Sequence, residues 1–360
     1  MAAAERDLER HDLGKIALHA GRCVHEHAPV AACRACLDAC PTSAWLLDDD
    51  QLALDTARCD GCGLCAGVCP TLALEGATLG RLAATRPLAE PVLDLACERA
   101  VPSELATLPC RHATSPRELA ALHRQGVRRL EVCEAPCDDG DGTACPRSGF
   151  GPTLEITVAA VNALLAEAGE PPLRLVRRPP TEWARATAER RAARMLPNAG
   201  RRALFRRLQA AAEPPGPAPV TDDAYAALVA RLPSAAAHPL VPSIDADRCV
   251  ACHACVRLCP TGALTLDRDS GGLHYRIVPE HCTACGLCLD ACAHAAVTVE
   301  RSSPWRQVTV PLAEHRCVAC GVVFHLPAGT AAAAAIEPGN ARCGICRLAP
   351  ATRRLYQVQP

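Results

Sequence analysis

The residues of this chain that could do chemistry are its cysteines, 25 of 360, and they come in bunches. RCDGCGLCAGVCP (58–70) holds Cys59, Cys62, Cys65 and Cys69. RCVACHACVRLCP (248–260) repeats the spacing with Cys249, Cys252, Cys255 and Cys259, and HCTACGLCLDACA (281–293) with Cys282, Cys285, Cys288 and Cys292. A fourth bunch, CRACLDACP (33–41), has Cys33, Cys36 and Cys40, but Val30 stands where a leading cysteine belongs. Thiols at this density serve either disulfides or metal. The N-terminal stretch MAAAERDLERHDLGKIALHAGRC is charged and has no apolar core of a secretory signal, and no apolar run is long enough to span a bilayer. The expectation is a reducing cytoplasm, where thiols stay available to metal, and an odd cysteine count also argues against a disulfide framework. Zinc favours two pairs of ligands over tight triplets. Three thiolates spaced C-x2-C-x2-C cap one face of an iron–sulfur cube, and a fourth, before proline, reaches the other cluster of a pair.

With that spacing, residues 20–80 and 244–300 each resemble the two-cluster bacterial ferredoxin. By the crossing rule one cluster takes Cys249, Cys252, Cys255 and Cys292, and its partner takes Cys282, Cys285, Cys288 and Cys259. Cys292 precedes Ala293 instead of proline, but the proline ligates nothing. In the first half, Cys59, Cys62, Cys65 and Cys40 form one set. The other is Cys23, Cys33, Cys36 and Cys69, because Cys23 is the only upstream candidate and closing a ten-residue loop costs little more than closing a short one. Should Cys23 not bind, the site would hold a three-iron cluster or take His25 or His27. In ACPTSAWLLDDDQLALDTARC (39–59) and LCPTGALTLDRDSGGLHYRIVPEHC (258–282) the Cys-Pro leads into two apolar stretches flanking a polar Asp/Gly turn, which reads as a β-hairpin. Some sixty residues cannot build a sufficient apolar core, so the clusters would serve as the interior.

Between the halves the texture changes. PVLDLAC (91–97), LATLPC (105–110), VRRLEVC (127–133) and PLRLVRR (172–178) read as strands. SPRELAALHRQG (115–126) and TLEITVAAVNALLAEAG (153–169) read as helices, the first with Ser and Pro at its start and Gly at its end. The alternation predicts a small parallel α/β sheet over residues 90–178. Cys97, Cys110 and Cys133 fall at strand ends, with Cys137 just beyond and Cys145 in a nearby Gly/Asp-rich loop. The first four are candidate ligands for an extra cluster, a [2Fe–2S]; the bland alternative is buried cysteine acting as a small hydrophobe. LPCRHATSPRELAALHRQGVRRLEVCEAPC (108–137) resembles the iron–sulfur delta subunit of methyl-viologen-reducing hydrogenase. That resemblance implies a domain that passes electrons between a ferredoxin-like or flavin partner and a catalytic subunit.

Residues 179–243 read as an Arg-rich helical and Pro/Ala-rich linker, a solvated face or a dock for an acidic partner or a membrane surface. HRCVAC (315–320) and RCGIC (342–346) supply two C-x2-C pairs within residues 312–350. Cys317, Cys320, Cys343 and Cys346 resemble a zinc ribbon, with rubredoxin-type iron as the rival.

The expected class is therefore α+β multidomain: two ferredoxin-like 2[4Fe–4S] modules, a small parallel α/β domain between them and a C-terminal knuckle pair. A formal net charge of −1 gives no field to recruit nucleic acid. No nucleophile–base arrangement, G-x-G-x-x-G fingerprint or P-loop stands out, so the chain reads as an electron carrier or a non-catalytic subunit. The expected role is a polyferredoxin passing single electrons through four [4Fe–4S] clusters. Its partner would be a cytosolic oxidoreductase such as a hydrogenase, a formate dehydrogenase or a heterodisulfide-reductase-like complex. The alternatives are a cytosolic accessory factor that assembles a molybdenum oxidoreductase and, more remotely, a redox or metal sensor.

Overall fold

A computed structural model describes residues 10–12, 16–48, 51–76, 92–102, 106–135, 137, 145–195, 223–305, 308–336 and 339–348. The chain divides into two compact units, Met1–Glu26 with Arg34–Pro233, and His27–Cys33 with Ser234–Pro360. Among the described residues no helix is long and apolar enough to cross a membrane.

The first unit opens with β1 (Arg10–Asp12) and β2 (Ala17–His19), then α1 (Ala35–Asp38), the hairpin β3 (Trp45–Asp48) and β4 (Gln51–Leu54), α2 (Leu64–Val68) and β5 (Leu74–Glu75). β2 lies between β1 and β5, antiparallel to both. Its core gathers Ile16, Leu18, Trp45, Ala66 and Leu74 around Cys23 and Cys65.

The same unit continues with β6 (Val92–Leu95), α3 (Pro116–Arg124), β7 (Arg129–Cys133), α4 (Leu154–Glu167), β8 (Arg174–Arg178), α5 (Pro180–Met195) and α6 (Ala224–Val229). β6, β7 and β8 form a parallel sheet in sequence order. Local chemistry sets the helix starts. Ser115 and Glu118 make a reciprocal capping box ahead of α3, with Pro116 in its first turn, and Thr153 caps α4. The strand expected at 105–110 does not form: a single parallel bridge joins Leu108 to Cys97. Pro109, which has no amide hydrogen, cannot extend a ladder there.

The expected linker over 179–243 is largely built structure. Trp183 of α5 is 2% exposed and donates its indole N–H to the Glu131 carbonyl at 3.0 Å. Two acidic side chains in the sheet need partners, and one of them takes its partner from α5. Asp94 and Glu131 are register partners on β6 and β7 and are both buried. Isolated buried carboxylates would be costly, and here arginines offset them: Arg190 of α5 pairs with Asp94, while Arg178 and Arg129 pair with Glu131. The rest of the Arg-rich block, 196–222, lies outside the described residues.

The second unit comprises β9 (Ala237–Ile244), α7 (Ala254–Leu258), β10 (Leu264–Asp269), β11 (Gly272–Ile277), α8 (Leu287–Asp290), β12 (Val297–Pro304), β13 (Thr309–Arg316), β14 (Val323–Pro327) and α9 (Gly344–Leu348). β9, expected as linker, pairs antiparallel with β12. A two-stranded ribbon is all edge, so Pro239 and Pro242 are tolerated in it. β10 and β11 form the hairpin expected between the cysteine runs, and β13 and β14 extend that sheet in the order β10-β11-β13-β14. The C-terminal segment is thus continuous with the module before it instead of a separate bead.

Candidate metal centres

In the second module the cysteines surround two small cavities. One is lined by Cys249, Cys252, Cys255 and Cys292, together with Tyr275 and His253. The other is lined by Cys259, Cys282, Cys285 and Cys288. Each cavity thus draws three cysteines from one run and the last cysteine of the other. The backbone explains how. Both loops between the ligands turn through the left-handed region, at Ala251 (φ 52°) and His253 (φ 65°), and at Ala284 (φ 56°) and Gly286 (φ 87°). Such turns aim successive amides into a concave nest that suits an anionic centre. Only one of these four residues is glycine, so the other three accept a conformation that side chains disfavour. Amides also reach the sulfurs: Ala251 N–H donates to Cys249 Sγ at 3.4 Å and Ala296 N–H to Cys292 Sγ at 3.2 Å.

Burial pushes the Cys255 and Cys288 thiols up to about 12, and neighbouring cysteines add to it. Metal-free, these thiols would stay protonated, and a bound metal would supply the countercharge that makes them ligands. Sequence reasoning overlooked Tyr275, which is 0% exposed and shares a 2.9 Å hydrogen bond with His253 Nδ1 at the cavity wall. No spacing rule points to it.

The first module repeats half of this arrangement. Cys40, Cys59, Cys62 and Cys65 line one cavity with Trp45 and Asp60. The loop between its spaced ligands carries Gly61 (φ 73°) and Gly63 (φ 81°), the same left-handed pair. Ala44 N–H donates to Cys40 Sγ at 3.2 Å and Ala73 N–H to Cys69 Sγ at 3.3 Å. Burial alone would raise Cys40, but the Thr42 hydroxyl and nearby amides outweigh it and lower the thiol. Burial raises Cys62 and Cys65 to about 12.

The remaining set is less uniform. Cys23, 7% exposed, shares one core cluster with Cys36 and Cys69. Cys33 belongs to the short His27–Cys33 piece grouped with the second unit. At the run that lacks its leading cysteine the left-handed pair is missing: Ala32 is not in that region and Arg34 sits at φ −125°.

The middle domain divides its cysteines among different surroundings. Cys110 is buried, and its charge-sensing neighbours include Arg147, Cys97 and Cys145. Cys133, 0% exposed, packs with Ala96, Val101 and Trp183. Cys137 faces His112 Nε2 at 3.3 Å. Contact with the first module is close. Cys62, Leu64, Cys110 and Ala113 form one apolar cluster. Arg147, which sequence reasoning did not single out, pairs with Asp60 at 2.8 Å and donates to the Pro109 carbonyl. Gly67 eases the same contact, since a Cβ there would press on the Thr114 amide nitrogen at 3.1 Å and the Ala113 carbonyl carbon at 3.2 Å.

At the C-terminus, Cys317, Cys320, Cys343 and Cys346 bring four sulfurs within 4.8 Å of one another, with Cys320 and Cys343 3.8 Å apart. The first pair sits in the turn between β13 and β14, the second at the start of α9. A tetrahedral zinc with Zn–S bonds near 2.3 Å holds its sulfurs about 3.8 Å apart, so the set fits a single metal ion. The Cys343 amide, helped by those of Ala319 and Cys320, draws the Cys317 thiol down to about 6.

A family model described as a 4Fe-4S dicluster domain matches residues 248–296, and one described as a 4Fe-4S binding domain matches residues 52–75. The chain carries two 4Fe–4S ferredoxin-type domains. Iron–sulfur electron transfer is the chemistry that goes with them. A search of curated proteins found no match to this chain.

Proposed function

We propose that this chain is a polyferredoxin that relays single electrons in the cytoplasm to or from a partner oxidoreductase. Its centres would be four [4Fe–4S] clusters. The ligand sets are Cys23, Cys33, Cys36 and Cys69; Cys40, Cys59, Cys62 and Cys65; Cys249, Cys252, Cys255 and Cys292; and Cys259, Cys282, Cys285 and Cys288. Each cluster, when bound, takes up and releases one electron. The protein's part is to supply thiolates, direct amides at the sulfurs and wall the site with apolar side chains such as Ile244, Leu264 and Val297. Cys317, Cys320, Cys343 and Cys346 would hold a structural zinc that closes the β13–β14 end.

The observation that carries this reading is the lining of the cavities, where three spaced cysteines of one run meet the last cysteine of another. The middle domain, whose Cys110 packs with Cys62, would give the first module its contact toward a partner. Anaerobic purification followed by metal analysis tests the proposal. The expected content is about sixteen iron, about sixteen sulfide and about one zinc per chain, with a brown chromophore that dithionite bleaches reversibly. A colourless protein after reconstitution, or colour that does not respond to dithionite, would sink it.

A further inference from the structure

One thiol of the middle domain is placed unlike the others. Cys97, Cys110, Cys133 and Cys145 are all buried, the last only 6% exposed. Cys137 is half-buried and opens onto a cavity of about 240 Å³ that is lined by His112, Arg147, Phe150, Thr153 and Arg177 as well. The site lies beyond the carboxyl end of β7, where parallel sheets collect ligands.

The tautomer of His112 is fixed by its surroundings. Leu154 N–H donates to His112 Nδ1 at 3.0 Å. An amide can only donate, so Nδ1 is the acceptor and the neutral ring carries its hydrogen on Nε2. That N–H points at Cys137 Sγ, 3.3 Å away. The sulfur therefore receives a hydrogen bond that favours its electron-rich, nucleophilic form. The cavity's charges are locally compensated, since Arg147 pairs with Asp60 and Arg177 with Glu155, each at 2.8 Å. The lining therefore mixes polar and apolar groups without a strong net field, and its volume is below the roughly 300 Å³ at which drug-sized sites begin. It suits a small, polar, uncharged ligand.

We propose that Cys137 is a nucleophilic thiol that undergoes exchange with small polar disulfides in this cavity, and that His112 positions its sulfur. In the step, Cys137 gives its thiol proton to water, and its Sγ thiolate attacks one sulfur of R–S–S–R along the S–S axis. The Cys137–S–S–R bond forms as the original S–S bond breaks, and R–S⁻ leaves with the bonding pair and takes a proton from water. No external oxidant or reductant is consumed. The activity is separate from electron relay and does not rest on it.

The test uses the anaerobic holoprotein and bis(2-hydroxyethyl) disulfide, with peptide mass spectrometry to map and time the adduct. Modification is expected first at Cys137, about tenfold or more faster than at the buried cysteines of the same domain and faster than at free cysteine at the same pH. Cys137→Ser should abolish it. His112→Phe should slow it about tenfold, the scale of one charge-assisted hydrogen bond. Unmutated protein should also react faster with this neutral disulfide than with cystamine or dithiodiglycolate, a comparison that needs no variant to fold. Adduct at other cysteines first, or a rate at Cys137 no greater than that of free cysteine, would overturn the proposal, as would indifference to His112→Phe. So would loss of iron in Cys137→Ser, which would make this residue a cluster ligand. Iron, sulfide and dithionite bleaching measured on the same samples report on the electron-relay reading independently.

Discussion

The two ferredoxin-type modules differ most where one cysteine is missing. In the second, both runs are complete, and each carries a left-handed pair of residues between its ligands, even where those residues are Ala251, His253 and Ala284. In the first, the complete run has the same pair at Gly61 and Gly63, but the run with Val30 in the leading position does not. The comparison teaches that the nest follows the cysteine spacing more than the presence of glycine. Three thiols that must face one point force the intervening amides inward, and the chain tolerates about a kilocalorie or two of backbone cost at each non-glycine position to do so. Where the spacing lapses, the loop is released, and Cys23 is brought into the core from upstream.

The modules also differ in what supports them. The first leans on the parallel sheet through Asp60, Cys62 and Gly67. The second is braced by the β9–β12 ribbon and by the β13–β14 extension of its hairpin.

The largest effects should come from the ligands. Cys249→Ser and Cys23→Ser should each lower iron by about one to four atoms per chain, the first by damaging a regular site and the second by damaging the irregular one. Unchanged iron in Cys23→Ser would show that the irregular site uses another ligand and would make the modules less alike than proposed.

The next effect tests the support. Burial alone would raise Glu131, but the hydrogen bond and charge of Arg178, with Arg129 and Arg190 adding, hold its carboxyl below the ordinary value of 4.5. Its contribution to stability is therefore complete above that ordinary value and is lost as the pH falls through the depressed folded value. Glu131→Ala should cost about 2–3 kcal/mol at neutral pH, less than the roughly 3–5 kcal/mol for a fully buried pair because Arg178 is partly exposed. Thermal melts followed by cluster absorbance should show the first module's colour lost earlier, with the second module's unchanged. If the difference between variant and parent persists undiminished well below pH 4, the ion pairs are not its source.

Gly67→Ala should have the smallest effect, about 1–2 kcal/mol, because its Cβ would press on backbone that cannot swing aside. The first module should become easier to strip with chelator while the second keeps its iron. Equal loss from both would mean that the supports are not independent.

Much of this was legible in the sequence because local chemistry decides it. The C-x2-C-x2-C spacing needs only a few residues to create its loop, and the Ser115–Glu118 box marks a helix start within four. The parallel sheet followed from the alternation of strand and helix patterns. The errors came where a segment's fate depends on a distant partner. PLVPS looked like linker until β12 supplied a strand to pair with it, and the Arg-rich helix looked solvated until buried Asp94 supplied an anion for its Arg190.

The sequence by itself determined which thiols travel together, since ligand spacing is a property of a short stretch of chain. Tertiary structure alone decided what surrounds the thiols outside the regular runs: Cys23 in a core, Cys133 beside Trp183, Cys137 turned to His112. The physical reason is range. Turn geometry and capping act over a few residues, whereas burial and ion pairing depend on whatever the rest of the chain brings alongside.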